Sequence, residues 1–235
     1  MSTETGKLYL VPTPIGNMGD ITSRALEVLN EVELIACEDT RHSGMLLKKL
    51  DIKKRLISYH DFNEAVRARQ LAEILSRGGS VAVITDAGSP GISDPAYRIV
   101  RAAIDDEIEI IPLPGPTAII PALTASGLPT DRFFFEGFLS HKSAARRTRL
   151  EKIKTFDHTL VFFESPHRIE KCLRDMLEVL GDRSACLARE ISKRYEQFIR
   201  GNLSDLVQHV TGRSVKGEIV LIVNGAAAHQ KSTTE

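Results

Sequence analysis

The chain has no charge to spare. Its 31 Lys and Arg balance 31 Asp and Glu over 235 residues, so a nucleic-acid surface has to be a local patch. Cysteine is scarce too: Cys37, Cys172 and Cys186 are odd in number, lie far apart and form no C-x-x-C pair. That argues against a disulfide framework or a structural zinc site and fits a reducing compartment. No apolar run approaches the length of a membrane span, and the start MSTETGKLYL has neither the basic n-region nor the apolar core of a secretory signal. A cytoplasmic protein with no membrane partner is expected. Several chemical signatures are missing as well. There is no G-x-x-x-x-G-K-[ST] phosphate loop, no G-x-G-x-x-G after the first strand, no H-E-x-x-H and no G-x-S-x-G. P-loop, dinucleotide, metal-hydrolytic and serine-hydrolase chemistry are disfavoured accordingly.

What is present is a set of Pro/Gly-rich breaks at strand ends. Val81–Thr85 runs into Asp86–Pro95, DAGSPGISDP; the opening strand Lys7–Val11 runs into Pro12-Thr13-Pro14-Ile15-Gly16-Asn17; the strand Ile108–Ile111 runs into Pro112–Ala118, PLPGPTA. Such elbows leave backbone bare at the carboxyl ends of strands, where parallel α/β sheets bind ligands. Three of them point to one site.

Around the elbows the first half alternates strand and helix signals. Helices are predicted over 22–32, 64–77, 95–103 and 117–125, with Asp94 as N-cap and Pro95 at N1 of the third. Leu34–Cys37 reads as a strand ending in the charged turn Glu38-Asp39-Thr40-Arg41. The stretch Gly127–Asp131 is the expected boundary, giving an α/β domain with a parallel sheet over 1–126. A second α/β domain follows over 127–225. Its strands are expected at 133–137, 159–163, 184–188, 196–199 and 218–223. A helix entered by Ser165 and Pro166 carries the stripe Ile169, Cys172, Leu173, Met176, Leu177, Leu180. The absence of a clear long helix before the last strand predicts a partly antiparallel sheet. The small polar tail to Glu235 is expected to be disordered.

Polar clusters at strand ends are the candidate chemistry: Glu38-Asp39-Thr40-Arg41-His42, Glu164-Ser165-Pro166-His167-Arg168, and Arg189-Glu190 with Lys193-Arg194. Each alone also reads as a solvated loop or a helix entry. Tyr59-His60-Asp61 could orient an imidazole, although a lone His is more often satisfied structure. The segment His141–Arg149 concentrates positive charge on what reads by default as a solvated helix face, and it also suits a polyphosphate backbone.

Assembled, the motifs VPTPIGN (11–17), CEDTRHSG (37–44), DAGSPGISDPAY (86–97), PLPGPTA (112–118), FEGFL (135–139), FFESPHR (162–168) and ARE (188–190) resemble the class III, tetrapyrrole-methylase-like, S-adenosylmethionine-dependent methyltransferases. The resemblance runs from Leu8 to about Val223. It implies two α/β domains with the cofactor in the interdomain cleft. Within the family it points to the bacterial branch that methylates a cytidine ribose 2′-hydroxyl of small-subunit ribosomal RNA. By position it implies cofactor contacts from Pro14, Ala87, Gly88, Ser89, Ile92, Thr117, Ala118, Glu164 and Ile191. It also implies a homodimer, with ribosomal RNA or the small ribosomal subunit as partner. On that footing Glu38, Asp39, Arg41, His42 and Glu190 are the expected catalytic groups, with Glu38 or Asp39 as base. Lys142, Arg146, Arg147, Arg149, His167 and Arg168 are the expected RNA contacts. Many family members continue into a helical C-terminal module, whereas this sequence stops soon after Val223. Two other readings compete. Methylation of a corrinoid or porphyrin precursor would usually bring a G-x-G-P-G-D first elbow, which is absent here. A non-catalytic RNA-binding module would have no need of so many polar strand ends.

Overall fold

The computed structural model of the chain describes residues 6–60 and 62–226. Asp61 and nearly all of the expected polar tail lie outside them. The described residues fall into two compact units that divide between Thr117 and Ala118.

The first unit is built on five parallel strands: β1 (Lys7–Leu10), β2 (Leu34–Cys37), β3 (Arg55–Ser58), β4 (Val81–Ile84) and β5 (Glu109–Pro112). Their order is β3-β2-β4-β1-β5. The apolar runs of β2 and β4 are buried on both faces, as parallel strands require. The alternation of β4 shows how. Val81 and Val83 pack toward α3 (Glu64–Ser76) and α4 (Tyr97–Asp105), while Ala82 and Ile84 pack toward α1 (Ser23–Glu31) and α2 (Thr40–Lys49). Because every strand runs the same way, all five carboxyl ends share one edge.

The second unit carries β6 (Phe133–Phe138), β7 (Thr159–Glu164), β8 (Ser184–Arg189), β9 (Gln197–Asn202) and β10 (Ile219–Val223) in the order β6-β7-β10-β8-β9. The β6–β7 pair is parallel and the other three pairs are antiparallel, so the sheet is mixed as expected. One face packs on α6 (Ser143–Ile153), α7 (Ile169–Leu180) and α8 (Leu203–Val210) through Leu160, Phe162, Leu187 and Leu221. The short α5 (Ile119–Thr124) lies against β10.

Several expectations change. The compact units divide at Thr117/Ala118, ahead of the Gly127–Asp131 stretch, because α5 packs in the second unit. There Arg200 also donates two hydrogen bonds to the Ala125 carbonyl (3.1 and 2.5 Å). The turn after β2 is the start of a helix, α2, and two further elements, β3 and α8, were not foreseen. Asp94 is not at the N-cap position of α4. Ser93 takes a left-handed φ of 62°, the helix begins only at Tyr97 and Ala96 stands at its N-cap position. Its first amides are satisfied from elsewhere: Arg98 N donates to Glu64 Oε1 (3.1 Å) and Ile99 N to the Tyr59 hydroxyl (3.1 Å). That hydroxyl in turn donates to Glu64 Oε1 (3.0 Å). Burial first, and then the Glu64 carboxylate, push the Tyr59 hydroxyl well above the ordinary phenol range. Tyr59→Phe therefore strands the Ile99 amide. A loss of about 1–3 kcal/mol of unfolding free energy is expected in urea titration.

Candidate functional site

The elbows after β4, β1 and β5 leave three neighbouring strands on the common carboxyl edge of the first sheet, and hydrogen bonds stitch them together. Thr13 N donates to Gly88 O and Gly88 N to Thr13 O, each at 2.9 Å. The buried Thr13 hydroxyl donates to Thr85 O (2.9 Å), and Thr85 Oγ1 to Gly88 O (3.2 Å). Ser89 Oγ reaches across to Pro116 O (3.3 Å). Gly88 sits at φ +87°, a left-handed conformation that L side chains resist. At Gly115 a side chain would place Cβ 2.7 Å from Pro12 Cβ, so the first and third elbows touch only because this residue is glycine. Pro14, Ala87, Gly88, Ser89, Ile92 and Thr117 all fall on this edge. Pro14, Ser89 and Thr117 are half-buried, and Ala87 and Ile92 are exposed. Ala118 opens α5 at the head of the second unit. Beside the edge, Asp86 Oδ1 is buried without a partner. An S-adenosylmethionine molecule offers an ammonium, ribose hydroxyls, an adenine edge and a carboxylate. Bare amides and carbonyls with an orphaned carboxylate oxygen match that set. Asp86 and Thr13 lie inside the elbows and Thr85 at the end of a strand, but none of the three carries a sequence signal of its own.

One strand over, β2 delivers Glu38 and Asp39. Asp39 is the N-cap of α2, its Oδ1 accepting from Arg41 N (2.7 Å) and His42 N (3.4 Å). Those two backbone hydrogen bonds hold its carboxyl below the usual range, which makes it a poor proton acceptor. Arg41 and His42 are exposed on the first turn of that helix. The Glu38 carboxylate has no protein partner among the described residues. A pocket of about 370 Å³ opens here, lined by Glu38, Asp39, Thr40, Ser58, His60 and Phe62. The Cys37 thiol behind it is buried, which raises its pKa and leaves it in the protonated form.

In the second unit, β7 and β8 flank β10 and run parallel to each other, so Glu164 and Arg189 both face Ile219 across the ladder. Glu164 is 3% exposed. Its Oε1 accepts from Ser165 N (2.6 Å) and Arg168 Nε (2.5 Å), while Oε2 is buried without a hydrogen-bond partner beside Cys172. Arg168, expected to contact RNA, is thus committed to Glu164, and His167 is exposed. Ile191 is buried past the end of β8. Glu190, an expected catalytic group, is partnered within the second unit: Oε1 accepts from Lys193 Nζ (3.0 Å) and from Glu218 N (3.1 Å). Burial works against ionisation there, but those bonds outweigh it and hold the carboxyl low. It fastens β8 to the start of β10.

The basic segment is neutralised where it stands. Arg146 is 2% exposed and binds Asp175 Oδ2 through Nε (2.7 Å) and the Ser140 carbonyl through a terminal nitrogen (3.0 Å). Arg147 pairs with Asp175 Oδ1 (2.8 Å) and Glu178, and Arg149 with both oxygens of Glu136 (2.6 and 2.7 Å). Arg146 is a core residue and not an RNA contact; of the expected set on α6 and its cap, Lys142 is the exposed cation not engaged in an ion pair. The sequence could not show this, because the three acids lie on β6 and α7.

Among the described residues no group of three or more His, Cys, Asp or Glu could hold a metal ion, and no helix is long and apolar enough to cross a membrane. The family described as tetrapyrrole (corrin/porphyrin) methylases matches residues 7–207, and the chain belongs to that family of S-adenosylmethionine-dependent methyltransferases. It is 49% identical over 223 residues to the ribosomal RNA small subunit methyltransferase I of Micromonospora olivasterospora, covering 94% of this chain and 71% of that protein. The protein of the same name from Escherichia coli O157:H7 is 48% identical over 229 residues, covering 96% and 80%. Among solved structures the fold matches a diphthine synthase (TM-score 0.71, 16% identity, 95% and 92% covered) and the methyltransferase CobJ (TM-score 0.70, 20% identity, 95% of each chain).

Two outcomes follow. Gly88→Val adds a strained branched side chain at the stitched edge, and calorimetric titration with S-adenosylmethionine is expected to show affinity reduced at least tenfold, about 1.4 kcal/mol. Asp175 is also held low. Burial opposes this, but Arg147, Ser143 and Arg146 outweigh it. Its stabilisation is complete above the ordinary carboxyl value near ~4 and is lost as pH falls through its lower folded value. Asp175→Asn leaves Arg146 buried and unpaired; denaturant titration at neutral pH is expected to show a loss of about 3–5 kcal/mol, and much of the acid dependence should vanish with it.

Proposed function

We propose that this chain transfers a methyl group from S-adenosylmethionine to the 2′-hydroxyl of a cytidine ribose in small-subunit ribosomal RNA. The observation that carries the reading is the carboxyl edge of the first sheet. A stitched, backbone-rich cradle over β4, β1 and β5 lies one strand from a free carboxylate on β2. Near-50% identity to ribosomal RNA small subunit methyltransferases over more than nine-tenths of the chain supports the choice of acceptor. Bound at the cradle, S-adenosylmethionine supplies an electrophilic methyl on its sulfonium. The chain's own work is positioning and charge. Thr13, Gly88 and Ser89 hold the elbows that would orient the cofactor, and Asp86 would hold one of its ammonium or hydroxyl groups. Glu38 accepts the proton of the ribose hydroxyl, a poor nucleophile near neutral pH. Asp39 acts through α2, whose capped first turn presents Arg41 and His42 to the RNA backbone; Lys142 and His167 add exposed contacts from the second unit. The protein works in the cytoplasm as a homodimer.

A corrinoid or porphyrin acceptor is the other reading the fold permits, but the Val11–Asn17 elbow lacks the glycine-rich loop usual there. The test is transfer of labelled methyl from S-adenosylmethionine to unmethylated small subunits and, in parallel, to a corrinoid precursor. Label is expected in RNA, resistant to alkali at one nucleotide as a 2′-O-methyl group. Label in the macrocycle alone would overturn the reading. In the same assay Glu38→Gln is expected to lower kcat about 100-fold or more without weakening cofactor binding.

A further inference from the structure

Phe62 is 98% exposed, the most solvent-exposed of the large apolar side chains among the described residues. It lines the same pocket as Glu38. Its ring stands edge-on to the His60 imidazole, with centroids 6.0 Å apart and planes at 67°. The imidazole is itself held. Asn63 Oδ1 accepts from His60 N (2.9 Å), which turns the amide nitrogen toward Ser58 O (3.3 Å) and His60 Nε2 (3.1 Å). An amide nitrogen only donates, so Nε2 is the acceptor and Nδ1 carries the proton. Nδ1 is nonetheless buried and unpartnered. The Ser58 hydroxyl likewise has no partner among the described residues.

An exposed aromatic face, braced edge-on by a fixed imidazole, and a free hydroxyl form a seat for a flat heteroaromatic ring with polar atoms on its edge. Enzymes that act on one nucleotide of an RNA take its base out of the stack and hold it on an aromatic side chain. We propose that Phe62, backed by Ser58 and His60, seats the unstacked base of the target nucleotide. The ribose is then placed toward Glu38, which lines the same pocket. This rests on the RNA-methylation reading and adds to it the residues that select and place the nucleotide.

The test compares Phe62→Ala and Phe62→Trp with the unaltered protein in methyl transfer to unmethylated small subunits, with calorimetric titration of S-adenosylmethionine alongside. Phe62 is almost wholly exposed, so its loss does not threaten folding. Phe62→Ala is expected to raise KM for the subunit about tenfold or more, as loss of base stacking does. Cofactor affinity should stay within about twofold, and Phe62→Trp should restore KM. Unchanged KM in Phe62→Ala overturns the proposal. So does a KM defect that coincides with loss of the dimer on light scattering, which would make Phe62 a contact between copies. If the unaltered protein transfers no methyl to RNA, the functional reading fails and this proposal with it; transfer by the unaltered protein with an indifferent Phe62→Ala removes this proposal alone.

Discussion

The reciprocal pair of backbone hydrogen bonds between Thr13 and Gly88 is the constraint on which the first unit's chemistry depends. It forces the elbows after β1 and β4 to run side by side past the ends of their strands. The buried Thr13 hydroxyl then locks the pair to the last carbonyl of the β4 run. From that fixed point Ser89 reaches the third elbow, and Gly115 lets the third elbow close on Pro12. Prolines on either side remove competing donors and limit the backbone, so the loops keep one shape at low entropic cost. The result is bare, oriented backbone at the place where open parallel sheets take ligands.

Charge is handled differently in the second unit. A carboxylate at Asp175 receives Ser143, Arg146 and Arg147, so a segment dense in arginine spends its charge inside the fold. Glu164 with Arg168 and Glu190 with Lys193 repeat the pattern at strand ends. These pairs stabilise where geometry is tight and several donors converge, and they leave less positive surface than the sequence advertises. Under the proposed function, RNA contacts fall to exposed cations outside these ion pairs, such as Lys142 and Arg41.

Much of this was legible in the sequence. The elbows could be read because Pro and Gly at strand ends have few other uses, and their convergence followed from a parallel sheet. The α7 stripe was legible because its apolar spacing is regular. Other features were not, and for physical reasons. β3 is four residues long and only partly buried, so it lacks a clear alternation. α8 is eight residues with its cap supplied by Asn202 and Asp205 inside a strand-like run. Asp94 reads as an N-cap, but Ser93 turns left-handed, the helix starts at Tyr97, and its Arg98 and Ile99 amides are met by Glu64 and Tyr59, 34 and 40 residues upstream. Arg146 looked like a surface cation because its partner Asp175 is 29 residues away. Local sequence shows which groups are present; long-range packing decides which of them remain free.

Hydrogen–deuterium exchange of the full chain, with and without saturating S-adenosylmethionine, tests the central claim most directly. Peptides spanning 12–17, 86–92 and 113–118 should all exchange more slowly with the cofactor present, because the stitched elbows would supply the backbone that holds it. Slowing confined to other segments, or no slowing at saturation, would contradict the account.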